Sequence, residues 1–263
     1  KVVCIVPDLP RFYDLQKTGV ARIILRRLNN IIIDRLINRV DSFVVLTSPM
    51  MNVLKTKKKP YIVVEGLVDP RNFDLVPGIK KSKALLYSGT LNYAFGIRKI
   101  VDAYMITKDP LSELWICGSG EAESYIKKCA NIDKRIKYFG VLDWNKLKVL
   151  QQSAKYLINP RMNDKEYTRY SFPSKTMEYL ASGTPVIAYK LDGIPDEYET
   201  YIFWLKHMTI KEIAVEIEDY MKKPQCELDS FGKKARLFVL QKKSSVKQAQ
   251  NILELINTTL NYI

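Results

Sequence analysis

Short apolar runs and amphipathic stretches of helix length alternate along this chain. The runs at 2–7 (VVCIVP), 43–47 (FVVLT), 61–66 (YIVVEG), 84–89 (ALLYSG), 114–118 (LWICG), 136–140 (IKYFG), 156–160 (YLINP) and 185–189 (PVIAY) have strand length, and several are apolar throughout. Such a run fits a strand covered by helices on both faces, where no position meets water. Between them, 98–106, 121–130, 144–152, 173–182 and 211–222 read as helices, and Val246, Ala249, Ile252, Leu253 and Ile256 repeat a helical spacing over 244–261. Strand and helix in turn predict βαβ units, a parallel sheet and an α/β fold.

The stretch 68–83 (VDPRNFDLVPGIKKSK) breaks this rhythm with prolines, a glycine and clustered charge, the marks of a linker. It divides the chain into a first domain over 1–75, a second over 84–243 and a C-terminal helix over 244–263 that can cross back to the first. About three strands precede the boundary, too few for an ordinary doubly wound domain, so the first domain is expected to be incomplete. The chain also opens at Lys1 directly into a strand. The expectation is therefore that the natural N-terminus lies further upstream, with a partner supplying the missing part as the alternative.

Composition narrows the picture. With 263 residues and 47% apolar content, there is enough to bury one large core or two moderate ones. No run approaches the roughly 18 apolar residues of a membrane-spanning helix, and residues 1–10 lack a signal-peptide cleavage site, so a cytoplasmic location is expected. Cys4, Cys117, Cys129 and Cys226 lie far apart and read as buried thiols. The 42 Lys and Arg against 28 Asp and Glu leave +14, which points to anionic partners. No nucleic-acid recognition motif accompanies that charge, so phosphorylated substrates and acidic lipid surfaces remain. Lys55 to Lys59 reads as a solvated loop. The stretch 21–40 (ARIILRRLNNIIIDRLINRV) fits either a helix lying on an anionic membrane face or a buried core helix.

The segment YSFPSKTMEYLASGTPVIAY (170–189) carries the chemistry. Ser171 as N-cap, Pro173 in the first turn and Gly183 after the last apolar position predict a helix over 172–182. A helix N-terminus binds anions through free N–H groups and the positive end of its dipole. Lys175 stands in that first turn, where a cation is unfavourable unless an anion is bound; a plain exposed lysine is the alternative. Glu178, one turn further, can accept hydrogen bonds from sugar hydroxyls or simply pair with Lys175. The sole histidine, His207, has no cluster of metal ligands beside it in the sequence, and no Asp-x-Asp pair exists to hold a divalent ion. Gly118-Ser-Gly120 begins a dinucleotide fingerprint but has Glu123 in place of the third glycine.

The runs FPSKTMEYLASGTPVIA and LDGIPDEYE (191–199) resemble the donor-site signature of retaining GT-B glycosyltransferases, the group 1 enzymes of exopolysaccharide and capsule synthesis. The likeness extends back through LLYSGTLNYAFGIRKIVDAY (85–104), LWICGSGEAE (114–123) and IKYFGVLDWNKLKVLQQSAKYLINPR (136–161), and more faintly into 40–69. It implies two Rossmann-like domains, the first incomplete. It implies a nucleoside diphosphate sugar as donor, UDP being the expected nucleotide, and a polysaccharide or lipid-linked saccharide as acceptor. It implies retention of anomeric configuration, and the missing Asp-x-Asp pair leads to the expectation of transfer with neither metal nor cofactor. By the same resemblance Glu178 binds the ribose, backbone at Val141 and Leu142 reads the base, and Gly89 lets backbone approach the diphosphate. Three positions depart from it. Tyr170 stands where the family commonly has a second glutamate, and Thr90 and Phe95 replace an arginine and a lysine that neutralise the diphosphate. Lys175 and Arg161 are the candidates to take over, with Arg98 and Arg169 behind them and Ser174 beside Lys175. No catalytic residue is assigned. A donor-binding subunit without catalysis is the alternative function.

Overall fold

The computed structural model describes residues 1–9, 32–33, 35–56, 58–163 and 166–261. Most of the 21–40 stretch lies outside the described residues. Two parallel sheets organise the chain. The first runs β1 (Val3–Val6), β2 (Ser42–Val45) and β3 (Tyr61–Val63) side by side in that order, with Cys4 opposite Phe43 and Phe43 opposite Tyr61. Phe43 and Val45 of β2 pack with Met50, Met51 and Leu54 of the short helix α1 (Met50–Leu54) to form its core.

The second sheet has six strands: β4 (Ala84–Ser88), β5 (Glu113–Cys117), β6 (Ile136–Gly140), β7 (Tyr156–Asn159), β8 (Val186–Tyr189) and β9 (Phe203–Leu205). Their spatial order is β6-β5-β4-β7-β8-β9, all parallel. The chain therefore starts in the middle, builds outward to one edge, returns to pair β7 with β4, and builds to the other edge. β4, β7 and β8 are buried at every position. Side chains alternate between faces along a strand, so Leu85 and Tyr87 of β4 join one core while Ala84 and Leu86 join the other.

Helices α2 (Ile97–Met105), α3 (Glu123–Ile132) and α6 (Ile210–Lys222) fill the first of these cores with residues such as Ile100, Ile126 and Ile217. Helix α4 (Trp144–Ser153) and, more deeply, α5 (Ser174–Ser182) and α7 (Gln225–Lys242) cover the other face. Both β9 and α7 go beyond the elements expected from sequence. Cysteine burial also departs from expectation: Cys117 and Cys129 are buried, but Cys226 is exposed and Cys4 half-buried.

Residues 68–83, read as a linker, are fastened to the second sheet's body. Gln152 accepts from the Val76 amide at 2.9 Å, and Lys81 donates to the Ala154 carbonyl and the Thr184 hydroxyl at 3.1 and 3.0 Å. Lys59 departs from the solvated-loop reading. Its ammonium donates to the carbonyls of Ile37, Asn38 and Val40, which close a helical stretch whose last carbonyls need donors.

The last helix, α8 (Ser245–Asn261), leaves the second body and packs on β2 and β3. Its start is stitched to the linker by a parallel bridge between Val68 and Ser244, and Thr259 donates to Ser42 at 2.8 Å. Beneath that stitch lies a buried charge cluster. Lys243 meets Glu65 at 2.5 Å and Glu197 at 2.6 Å, while the Tyr198 hydroxyl donates to Glu65 at 2.7 Å. Burial and the neighbouring carboxylate push the Tyr198 phenol far up, which keeps it a donor. Among the described residues no helix is long and apolar enough to cross a membrane.

Candidate functional site

Because the order in which strands are added reverses between β4 and β7, the connections leaving their carboxyl ends part company and open a crevice there. Two adjoining cavities occupy it, of about 230 and 310 Å³. Each alone is small for a nucleotide, but together they reach the size of small-molecule sites, roughly 300–1,000 Å³. They share Ser88, Gly89, Thr90 and Lys175.

The shared wall is built from the end of β4. Ser88 is held from behind by Tyr179 of α5, whose hydroxyl accepts from the Ser88 amide at 2.8 Å and donates to its carbonyl at 2.9 Å. Full burial raises the Tyr179 phenol well above its ordinary range. Tyr87 braces the turn by donating to the Thr90 carbonyl at 2.7 Å, and burial pushes its phenol up to about 12. Gly89 has φ of 152°, and a Cβ on Gly118 would run into the Gly89 carbonyl. The β4 and β5 loops thus touch backbone to backbone, which accounts for Gly118 without a dinucleotide fold of its own.

The first cavity lies against the N-terminus of α5. Pro173 is the N-cap and the helix begins at Ser174, so the expected cap at Ser171 and the helical start at 172 are corrected. The Ser171 hydroxyl instead bonds the Thr168 carbonyl at 3.3 Å, closing the 3-10 turn Glu166–Tyr170 ahead of the helix. Among the described residues no side chain caps α5, and its first turn holds no acid, so the positive end of its dipole can take an anion. Ser174 and Lys175 line this cavity together with Arg161, which follows β7, and Phe95. Asn159 at the end of β7 reaches across to Thr176 at 3.1 Å and ties the strand to the helix.

The second cavity runs between the β5 and β6 loops and is walled by Gly118, Ser119, Val141, Leu142 and Leu147. Of the nine residues proposed from sequence, Gly89, Thr90, Val141, Leu142, Arg161, Ser174 and Lys175 line one cavity or both. Glu178 lies a turn inside α5. Its carboxylate pairs with Lys175 at 3.0 Å and accepts from buried Gln151 at 2.6 Å. Tyr170 stands apart and packs against the first sheet's core. Arg98 and Arg169 line neither cavity: Arg98 lies 3.8 Å from Asp102 and over the Tyr125 ring, and Arg169 meets Asp192 at 3.0 Å. His207 gains a neighbour that its sequence context hid, Glu216 at 3.2 Å on α6, but no group of metal-binding side chains exists among the described residues.

Tyr87, Tyr179 and Gln151 were not foreseen as site residues, and Phe95 was named only as a departure from the family pattern. For Tyr87 and Phe95 the signal was present, since both flank the end of a central strand; Tyr179 and Gln151 enter only through packing of α5 and α4.

A family model, "Glycosyl transferases group 1", matches residues 72–238. No curated protein sequence matches the chain. Among solved structures, Anabaena HepE in complex with UDP is similar at a TM-score of 0.71 and 15% identity, over 97% of this chain and 72% of that one. Sucrose-phosphate synthase from Thermosynechococcus elongatus is similar at 0.70 and 18% identity, over 98% and 67%. The pneumococcal O-GlcNAc transferase GtfA, in complex with UDP and GlcNAc, is similar at 0.64 and 15% identity, over 85% of this chain. The chain spans about half of that enzyme's length, 46%. At such identities the likeness is one of fold, and it is the GT-B arrangement of two parallel-sheet bodies expected from the sequence. Since the family model covers more than half of the residues, the chain belongs to the group 1 glycosyltransferases.

Proposed function

We propose that the crevice at the β4–β7 switch point holds a nucleoside diphosphate sugar, and that the chain serves transfer of its sugar to a saccharide acceptor. The observation that carries this reading is the meeting of two cavities at Gly89, Thr90 and Lys175, beside an uncapped helix N-terminus. A nucleotide sugar has that shape: a base with its ribose at one end, a sugar at the other and two phosphates between. The base enters the second cavity against Val141 and Leu142, and the phosphates lie over Gly89 and Thr90. The ribose is gripped by Glu178 once its carboxylate turns from Lys175. Lys175, Arg161, Ser174 and the α5 dipole then face the diphosphate. As the acceptor oxygen bonds to the anomeric carbon, the bond from that carbon to the diphosphate breaks; the diphosphate leaves with the bonding electrons and can take up the hydroxyl proton, and these groups stabilise the charge that grows on it. UDP is favoured because it is the nucleotide bound in the HepE and GtfA structures.

The finer parts of this reading are a polysaccharide or lipid-linked acceptor, retention of configuration, work at the cytoplasmic membrane face, and a division into acceptor-side residues 1–75 and donor-side residues 84–243. The test is a thermal-shift screen against UDP-, GDP- and dTDP-sugars. A bound donor at 100 times its Kd adds about 2.7 kcal/mol of stability. No shift with any nucleotide sugar at millimolar concentration would sink the reading. Tyr170, which packs on the first sheet's core where an acid was expected at the sugar, favours one other reading, a donor-binding subunit without catalysis. Donor binding without donor hydrolysis or transfer would select it.

A further inference from the structure

The first cavity has a cation mounted on an aromatic ring. The guanidinium of Arg161 lies over Phe95, 5.4 Å from the ring centroid, and both side chains line the cavity. They arrive from separate connections: Arg161 follows β7, and Phe95 ends the short 3-10 helix Tyr93–Phe95 that follows β4. We infer that Phe95 is a positioning residue, a platform that holds the Arg161 guanidinium over the uncapped end of α5 for the diphosphate of the donor. This rests on the nucleotide-sugar reading above.

Three observations carry it. The platform itself is fixed. Asn92 caps its turn by accepting from the Ala94 amide at 2.8 Å, and Gly96 ends it with φ of 82°. Gly96 is also flush with the chain that bears Arg161, since a Cβ there would run into the Pro160 carbonyl. Ring and guanidinium are therefore registered through their backbones, one residue from each side of that contact. The second observation is the tie between the two chains further on, where Lys99 of α2 reaches the Met162 sulfur at 3.4 Å. The third is the make-up of the wall. Arg161 and Lys175 are its charged side chains, set among Tyr87, Phe95, Phe172 and Tyr179, and no carboxylate lines the cavity among the described residues. An aromatic face attracts a cation without cancelling its charge, whereas a carboxylate partner would compete with an incoming phosphate. Mounting Arg161 on Phe95 fixes the guanidinium through the ring face. An arginine also loses less freedom on binding when its plane is already set.

The experiment is a double-mutant cycle between Phe95 and Arg161, read by calorimetric titration of the full chain with UDP and with uridine. Phe95→Leu keeps apolar bulk and removes the ring face. It is expected to weaken UDP about two- to fivefold, the affinity equivalent of one cation–π contact, and to leave uridine unchanged. Phe95→Tyr, which keeps the ring, retains wild-type affinity for UDP. In an Arg161→Met background Phe95→Leu costs nothing further, because the platform has nothing to carry. Three results would overturn the inference: unchanged UDP affinity in Phe95→Leu, an equal loss for uridine, or an undiminished loss in the Arg161→Met background. Wild-type chain that binds no UDP overturns the nucleotide reading together with this one, whereas wild-type binding with an uncoupled cycle overturns this one alone.

Discussion

Two lysine–glutamate pairs in this molecule share their chemistry and differ in everything around it. Lys175 and Glu178 meet at 3.0 Å with 34% and 22% of their side chains exposed, at the mouth of the crevice. Lys243 and Glu65 meet at 2.5 Å with 9% and 0% exposed, where the linker and α8 cross between the two bodies. In water a pair such as the first contributes little, a few tenths of a kcal/mol, and its members can change partners at almost no cost. Out of water a charge cannot be left alone, so the second pair is held in place by the penalty for breaking it. Tyr198 donates to Glu65 from the buried side, and Glu197 meets Lys243 from the solvent side. The exposed pair is suited to a site that must trade an internal partner for a ligand, and the buried one to a junction.

The largest test of this contrast is Lys243→Met, which strands Glu65 in the interior. It is expected to lower the free energy of unfolding in urea by about 3–5 kcal/mol, while the protein that remains folded binds nucleotide as before. A loss below 1 kcal/mol would place the two pairs in one class. Glu178→Ala should do the reverse: a nucleotide-sugar affinity at least tenfold weaker, from about 1.5–3 kcal/mol of lost charged hydrogen bonding, with little change in the urea midpoint. An unaltered affinity in folded Glu178→Ala would remove Glu178 from the donor site. Lys175→Met is expected to weaken UDP roughly fivefold and uridine not at all, because only the diphosphate supplies negative charge. Equal losses for both ligands would make Lys175 structural.

A third lysine sharpens the comparison. Lys81 is held by a carbonyl and a hydroxyl instead of a carboxylate, and burial pulls its ammonium down to about 8, with distant Asp229 opposing. Between pH 8 and its ordinary value near 10.5, the unfolded chain holds this proton and the folded chain does not, so stability rises with pH across that window. The rise should be on the order of 1 kcal/mol, discounted for partial exposure. Lys81→Met should flatten it in urea titrations run at pH 7.5, 9 and 10; an unchanged slope would show that Lys81 is as well solvated as Lys175.

Much of the second body was legible because its strands are apolar on both faces. Five of its strands stand within a few residues of their expected bounds, from β4 at Ala84–Ser88 to β8 at Val186–Tyr189. The elements that escaped lack such a signal. α7 buries Leu228, Gly232, Ala235 and Val239, a face in which two small residues leave no hydrophobic stripe to read. β9 has three residues at a sheet edge. Ser171 has the chemistry of a cap, but the turn before it claims its hydroxyl. The candidate site was partly legible because residues near Lys175 declare themselves locally through helix chemistry. Gln151, 27 residues from the Glu178 it holds, and Tyr198, 133 residues from Glu65, declare themselves only once the sheet is assembled.

The return of α8 also sets an order on synthesis. Thr259 bonds Ser42 across 217 residues and Gln248 bonds Gly66 across 182, so the first sheet's outer cover leaves the ribosome long after its strands do. β4 to β8, by contrast, pair with strands much nearer in the chain, the longest reach being from Leu85 to Tyr156. Within this chain, the first sheet is thus covered by a segment made after the whole of the second sheet. Until α8 emerges, β2 and β3 wait with an uncovered face, and the six-stranded body, already able to close on itself, is the surface against which they finally settle.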